Sequence, residues 1–600
     1  MVKQNRIKQK PAEIIKESKR ICNEMLKDLE LAKRPVLEAV KCSLDNSFYK
    51  PSVGYLTPGD KKVRTELNVS SVQKLSRVVF MLEILLRNLD SGQVNTKREL
   101  YYISKGLVKH NKELKVLDFD EQTGRIQPAL ASSWLVSSDG LTYTFQLRRN
   151  VEFHQTEYFQ PTRSFNADDV LFSFDRWINP SHPYHEVNGG SYPYFDSLNL
   201  AEKIQSIKRI NGYRIEISLF ERDSSFLANL ATDFAVILSA EYADMLAVAN
   251  RQSQIDFYPI GTGPFKFDAY QKNQFIRFLP HLDYWRGVPQ SAQLIYDITP
   301  SSAIRFAKLV TGECDTIAYP SQAEIDVMRA TPNIVVEEEP GLNVGFWAFN
   351  TSKPPFDQPI VRRALAMAID KNSILDAIYF NSASRAHSLI PPSSWAYNSS
   401  IKEVSYNPIK AKELLNQANI PAGFKMTLWA MPVVRAYNPN AKRMAQLIKN
   451  YLAAVDVDVT VVTYDWHAFR DKLSQGEHDS VLIGWSADNG DPDNFYRPLL
   501  SCEAIPSGTN RAMWCNTEFN ALINAAIRIP DVDLRASLYA KANNIIAHDI
   551  PLVPIAHANR YQVKAHSIKG LSINPYGSIR FENVVKAPKV QQIDNQDGRP

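Results

Sequence analysis

From about residue 128 to a closing SIRFENV segment, the chain keeps switching between the two-residue hydrophobic period of a strand and the 3.6-residue period of a helix. Nothing constrains the fold more, because such alternation points to strands and helices in packed layers, an α/β architecture. LTYTFQLRRNVEF (141–153) alternates apolar and polar residues, as a half-buried strand does. FNADDVLFSFDRW (165–177) is a capped helix, with Asn166 as N-cap and Asp168 and Asp169 in the first turn. PIGTGPFKFDAY (259–270) is a glycine turn entering a strand; it lacks the Gly-Lys-Ser/Thr ending of a phosphate loop. VRRALAMAID (361–370) and AKRMAQLIKNYLAAV (441–455) are amphipathic helices, and VDVTVVTYDW (457–466) is a buried strand. There is no tandem repeat.

At 600 residues the chain exceeds one hydrophobic core. Its front differs from its body. Residues 1–120 carry 24 Lys and Arg against 15 Asp and Glu, a net of +9; the remainder carries 45 against 49, a net of −4. A basic front suits an anionic partner, or is a solvated face. VVFMLEILL (78–86) is the most apolar stretch, and Glu83 interrupts it, so no membrane span is expected. The first residues, MVKQNRIKQKPAEIIKES, are basic without an apolar core or small-residue cleavage site, which assigns the chain as written to the cytoplasm. SLDNSFYKPSVGYLTPGDKK is turn-rich. Val72, Leu75, Val78, Val79, Leu82, Leu85, Leu86 and Leu89 form one helical stripe, and NTKRELYYISK opens a second helix with Thr96 as cap and Glu99 three residues on. Arg98 and Tyr102 then share a face. A tyrosine beside a guanidinium suits attack on phosphate; it equally suits an aromatic pair half packed under a short helix. Front and body join inside VLDFDEQTGRIQPALASSW (116–134).

No catalytic constellation stands out, so no enzyme and no cofactor are expected. The histidines are scattered and no Gly-x-Ser-x-Gly elbow occurs. Asp488, Asp491 and Asp493 of DNGDPDN lack the spacing and terminal Glu of a calcium loop, so no metal is expected. Cys502 and Cys515 bracket AIPSGTN, which suits a local disulfide or a pair of buried thiols.

Two resemblances organise these features. LDNSFYKPSVGYLTPGDKKVRTELNVSSVQKLSRVVFMLEILLRNLDSGQVNTKRELYYISK resembles the start of the A subunit of type VI DNA topoisomerase. That implies a mainly helical, winged-helix-like module over 26–116, after a basic extension over 1–25. Tyr102 would attack the DNA backbone with Arg98 assisting, and Lys61, Lys62, Arg64, Lys74, Arg77, Lys97 and Arg98 would meet phosphates. No metal-binding acidic domain follows, so no cleavage is expected.

YPIGTGPFKF, GLNVGFWAFNTSKPPFDQPIVRRALAMAID, LWAMPVVRAYNPNAKRMAQLI and GEHDSVLIGWSADNGDPDNFYRPLLSC, with the closing SIRFENV, resemble the periplasmic dipeptide-binding proteins of ABC importers, solute-binding protein family 5. They resemble the antimicrobial-peptide-sensitivity binding proteins similarly. The resemblance covers about 117–587 and implies a two-lobed α/β Venus-flytrap fold with an extra domain. The extra domain is expected at 117–262, the first lobe at 263–340 and 559–587, the second at 341–558, and a polar tail at 588–600. The ligand is then a peptide, the partners are importer permease subunits, the chain is a monomer and the place is the periplasm.

By the same resemblance Asp488 clamps the ligand ammonium and Arg435 its carboxylate. Trp485 and Gly484 wall the site, and Tyr437 and Trp395 serve the side-chain pockets. The family pairs two late cysteines, here Cys502 and Cys515. It also pairs the cysteine at Cys314 with one in a first strand that this chain lacks, leaving Cys314 alone. The basic front leaves a second reading, a DNA-binding regulator with a solute-sensing domain.

Overall fold

The computed structural model describes residues 115–587 apart from 120–124, 191, 574–575 and 577–578, together with the backbone of four short strands between 36 and 66. The chain divides into two compact units, Met1–His110 and Asn111–Pro600. In the first, Val36–Val40 pairs antiparallel with Lys62–Glu66, and Ser47–Lys50 with Tyr55–Pro58. These four short strands lie within the stretch expected to be a mainly helical, winged-helix-like module, and that expectation is not confirmed. The two helices read over 70–105, with Arg98 and Tyr102, lie outside the described residues.

The second unit opens with a small sheet domain. Its four strands run Ala131–Val136, Thr142–Leu147, Arg214–Leu219, Ile204–Asn211 in spatial order, all antiparallel. Tyr143, Phe145 and Leu147 point inward from the second strand, as period-two alternation requires. Helix Ala167–Ile178 closes one side; Asn166 caps it and Asp169 completes a capping box. The core of this domain runs from Val116 to Ile260.

A joint follows. His154 and His281 both donate a ring N–H to the Gly263 carbonyl, at 3.0 and 2.9 Å, and the Gly261 N–H donates to His154 Nδ1 at 3.3 Å. Burial holds His154 down at about 3, so it is a neutral imidazole that fixes the GTGPF turn.

Beyond the joint, one strand organises the molecule. Leu552–Ala565 is fourteen residues long and belongs to two layers. Its first half pairs with Asn343–Phe349 and Ala383–Arg385; its second half pairs with Ile334–Pro340 and Thr316–Ile317. The change of partner falls between Ala558 and Asn559, and the chain crosses back at Pro340–Asn343. Asn343 locks this double crossing: its side chain donates to Ala558 O at 2.8 Å and accepts from Ala558 N at 2.9 Å. Gly341 has no room for a Cβ, which would lie 2.7 Å from Ala558 O.

The larger lobe continues the sheet from Asn343–Phe349 through Ser480–Ser486 and Phe424–Ala430 to Val457–Val462. Asn343–Phe349 is buried at every residue because helices cover both faces. Val457–Val462 alternates buried and exposed residues. Its reading as a buried strand is corrected; it ends the sheet order and is covered on one face only. The Asn343–Ala558 core includes helices Pro359–Met367 and Ala441–Ala453.

Candidate functional site

Two facing glycines begin the site. Gly345 and Gly484 are register partners on adjacent central strands. A Cβ on Gly484 would overlap the Tyr437 ring at Cδ2, and one on Gly345 would overlap the Tyr437 carbonyl oxygen. The pair of missing side chains is thus the slot that seats Tyr437. Tyr379 Oη donates to the Tyr437 carbonyl at 2.8 Å and fixes that backbone. Burial pushes the Tyr437 phenol up to about 12, against the opposing influence of Arg435.

Arg435 stands two residues before Tyr437, in a turn closed by backbone bonds to Asn438. Its Nη1 donates to Val434 O at 2.9 Å, and its guanidinium lies 5.9 Å from the Tyr319 ring centroid and 5.7 Å from that of Trp466. It lines a solvent-open cavity. Tyr319 and Gln322 form one wall, Val434 and Arg435 the other, and Asn559–Gln562 of the crossing strand the floor. The cavity therefore sits where the two layers exchange partners.

The other half of the site is the loop after Ser480–Ser486. Asn494 organises it. Its Oδ1 accepts from Asp488 N at 2.9 Å and from Trp485 Nε1 at 3.2 Å; its Nδ2 donates to Tyr194 Oη at 3.0 Å. Tyr194 belongs to the small sheet domain and stacks on Phe234 at 3.9 Å. Asn489 reaches the same domain through Asn229, at 3.1 Å. This loop thus faces residues 192–236.

Its three aspartates have different partners. Asp493 makes a two-pronged, fully buried pair with Arg497, at 2.8 and 3.1 Å. Asp491 accepts from Arg535 Nη2 at 2.7 Å. Asp488 Oδ2 is shielded from solvent and has no hydrogen-bond partner among the described residues. Burial, with a smaller contribution from Asp233, pushes its carboxyl up to about 7. With two of the three acids held by arginines, the loop is not arranged as a cation cage, and no group of metal-ligating side chains occurs among the described residues.

Arg435, Tyr437, Gly484 and Trp485 are thus contiguous, and Asp488 follows in the loop after Trp485's strand. Trp395 is half-exposed, under the Arg535 guanidinium at 5.2 Å and beside Tyr539, and Arg535 in turn holds Asp491 of the loop. Cys502 and Cys515 form a disulfide, and Cys314 is a free thiol. Sequence reasoning missed Asn494, Tyr194, Tyr319 and the crossing strand. Asn494 sits inside the quoted DNGDPDN run, so its residue type was a usable signal; the others come from segments far away along the chain.

Residues 125–507 match the family described as bacterial extracellular solute-binding proteins, family 5. The chain is 43% identical over 470 residues to the dipeptide-binding protein of Escherichia coli K12, covering 78% of this chain and 88% of that one. It is equally 43% identical over 470 residues to heme-binding protein A of Haemophilus influenzae, covering 78% and 86%. Among solved structures it resembles the dipeptide-binding protein of Pseudoalteromonas sp. SM9913 in complex with Met-Leu, with a TM-score of 0.77 and 43% identity over 80% of this chain and 95% of that one. With the family covering well over half of its length and its two-layer crossing built around one shared strand, the chain belongs to the family 5 bacterial extracellular solute-binding proteins.

Proposed function

We propose that the chain binds short peptides as the solute-binding subunit of an ABC importer. The supporting observation is Asp488 Oδ2, shielded and without a hydrogen-bond partner among the described residues, in a loop whose other two acids already hold arginines. A shielded carboxylate oxygen without a partner is costly unless a ligand completes it. A peptide ammonium is the cation that fits, and Arg435, across Tyr437, is the group for the opposite terminus. Trp485 and Gly484 then wall the backbone of the peptide, and Tyr437 borders its side chains. Closure of the two layers about the Pro340–Asn343 and Ala558–Asn559 crossings buries the ligand.

Relatives named for dipeptide binding and the Met-Leu complex support this reading. The family's extracellular character and the Cys502–Cys515 disulfide favour an oxidising place of work outside the cytoplasm. The cytoplasmic assignment drawn from the first residues gains no support. Nor does DNA binding or cleavage: the family match begins at residue 125, and the matched relatives are binding proteins.

Calorimetric titration with Met-Leu, and separately with haem, tests the proposal. Saturable dipeptide binding that Asp488→Asn and Arg435→Ala both weaken is the expected result. Haem binding without dipeptide binding would replace it.

A further inference from the structure

Two sets of bonds leave the small sheet domain, and they differ in kind. Toward residues 263–286 and 576–580 they are tight. Asp118 takes two nitrogens of Arg580, at 2.8 and 3.0 Å, and Phe119 stacks on Tyr576 at 5.6 Å. Trp285 packs against the domain's own core, with the Arg148 guanidinium over its ring at 4.5 Å. With the His154–Gly263–His281 joint, these contacts make the sheet domain travel with that part of the chain. Toward the larger lobe the bonds are polar, and the apolar clusters of the two share no residue. Tyr194 with Asn494 and Asn229 with Asn489 are two of them. A third contact centres on Ser224. Its backbone N–H donates to Ile527 O at 2.6 Å, and its Oγ donates to Ile529 O at 2.9 Å. Ile527 stands in the last turn of helix Thr517–Arg528, where carbonyls have no partner within the helix. Ser224 thus caps a helix of the larger lobe from the sheet domain.

Its neighbours hold it in place. Buried Asp223 accepts from Lys203 Nζ at 2.7 Å and from Ser225 N and Oγ at 2.8 and 2.6 Å. Burial raises the Asp223 carboxyl, but Lys203 and Ser225, with Arg497 across the boundary, bring it below its ordinary range. Glu221 and Arg528 pair alongside, both exposed, an arrangement that adds little in water. Neither Ser224 nor Ile529 lines the Arg435 cavity. A boundary of polar bonds parts readily, because water replaces each bond as it breaks. A ligand held behind it leaves only when it parts. We propose that Ser224 is a positioning residue for closure: its two bonds to the end of helix Thr517–Arg528 hold the sheet domain on the larger lobe and set how long a peptide stays bound, without touching it. This rests on the peptide reading above and adds to it the contact that governs release.

Stopped-flow measurement of Met-Leu association and release by the full chain tests this. Ser224→Ala removes the hydroxyl bond and is expected to speed release about fivefold, the scale of one neutral hydrogen bond, with association within about twofold of the parent. Ser224→Thr keeps the hydroxyl and is expected to release at the parental rate. The rise in unfolding midpoint brought by saturating Met-Leu is expected to shrink in Ser224→Ala, which a serine that merely supports the fold would not cause. An unchanged release rate in folded Ser224→Ala overturns the inference and leaves peptide binding in place. So does failure of that variant to fold, which would assign Ser224 to the fold itself. Absence of Met-Leu binding by the unaltered chain overturns the peptide reading and this inference together.

Discussion

Two regions a few residues apart on one loop solve the same problem in opposite ways. At Asp493 a buried carboxylate is matched on both oxygens by Arg497, which Asn524 steadies in turn at 2.8 Å. At Asp488 a shielded oxygen is left without a partner and the carboxyl rises to about 7. Asp491 stands between: burial raises it while Arg535 pulls it back. Acids of one type in one short run thus divide into two held by arginines and one, Asp488, that keeps a shielded oxygen without a partner among the described residues. The difference lies in which arginine each can reach.

The contrast can be broken by substitution. Asp493→Ala leaves Arg497 charged and buried, and should cost about 3–5 kcal/mol in chemical denaturation. A loss below about 1 kcal/mol would mean that the pair does not anchor the loop. For Asp488→Asn the large effect should appear in binding instead. Dipeptide affinity is expected to weaken by about 2–5 kcal/mol, with a similar loss in Arg435→Ala; calorimetry showing unchanged affinity in both would remove the clamp.

Gly484→Ala sharpens the contrast from the other side of the site. Its Cβ would run into Tyr437 Cδ2 on one side and Val344 O on the other. Overpacking of about 1–3 kcal/mol is expected in thermal unfolding, along with weaker peptide binding as Tyr437 leaves its slot. Unaltered stability and affinity would show that the slot is not formed.

The smallest effect concerns protons. A carboxyl raised from its ordinary range near 4 to about 7 gives no penalty below about pH 4, where folded and unfolded chains are both protonated. Between about pH 4 and 7 the unfolded chain ionises first, so the folded state loses stability, and the loss levels off above about 7. Asp488→Asn should therefore be more stable than the parent by about 1–2 kcal/mol at about pH 8, and equal to it at about pH 4. Peptide affinity should run the other way, falling by up to about tenfold per pH unit below about 7 as Asp488 takes up its proton. A pH-independent affinity between about 5 and 8 would show that Asp488 does not meet the ammonium.

Much of this was legible in local sequence. Asn166 followed by Asp169 announced the first helix of the body, and the alternation of Tyr143, Phe145 and Leu147 its strand. Motif likeness singled out Asp488 and Arg435 as the proposed clamps. Local pattern failed where neighbours decide. Val457–Val462 is an edge strand covered on one face: its valines alternate with Asp458 and Thr460, and no period reveals how many strands lie beside one. Trp395, expected to serve a side-chain pocket, meets Arg535, which lies far along the chain.

The sequence by itself determined the element types, the caps, the glycine slot's residue types and the family's ligand-binding motifs, because each depends on residues within a turn or two of one another. Tertiary structure alone decided which acid stays unmatched, which second arginine enters the cavity and where the layers exchange partners. Those depend on what distant segments bring to a buried space: Tyr194 to Asn494, Arg535 to Asp491, Arg560 to the floor beside Arg435. Burial turns such meetings into charge and proton energetics that no local pattern encodes.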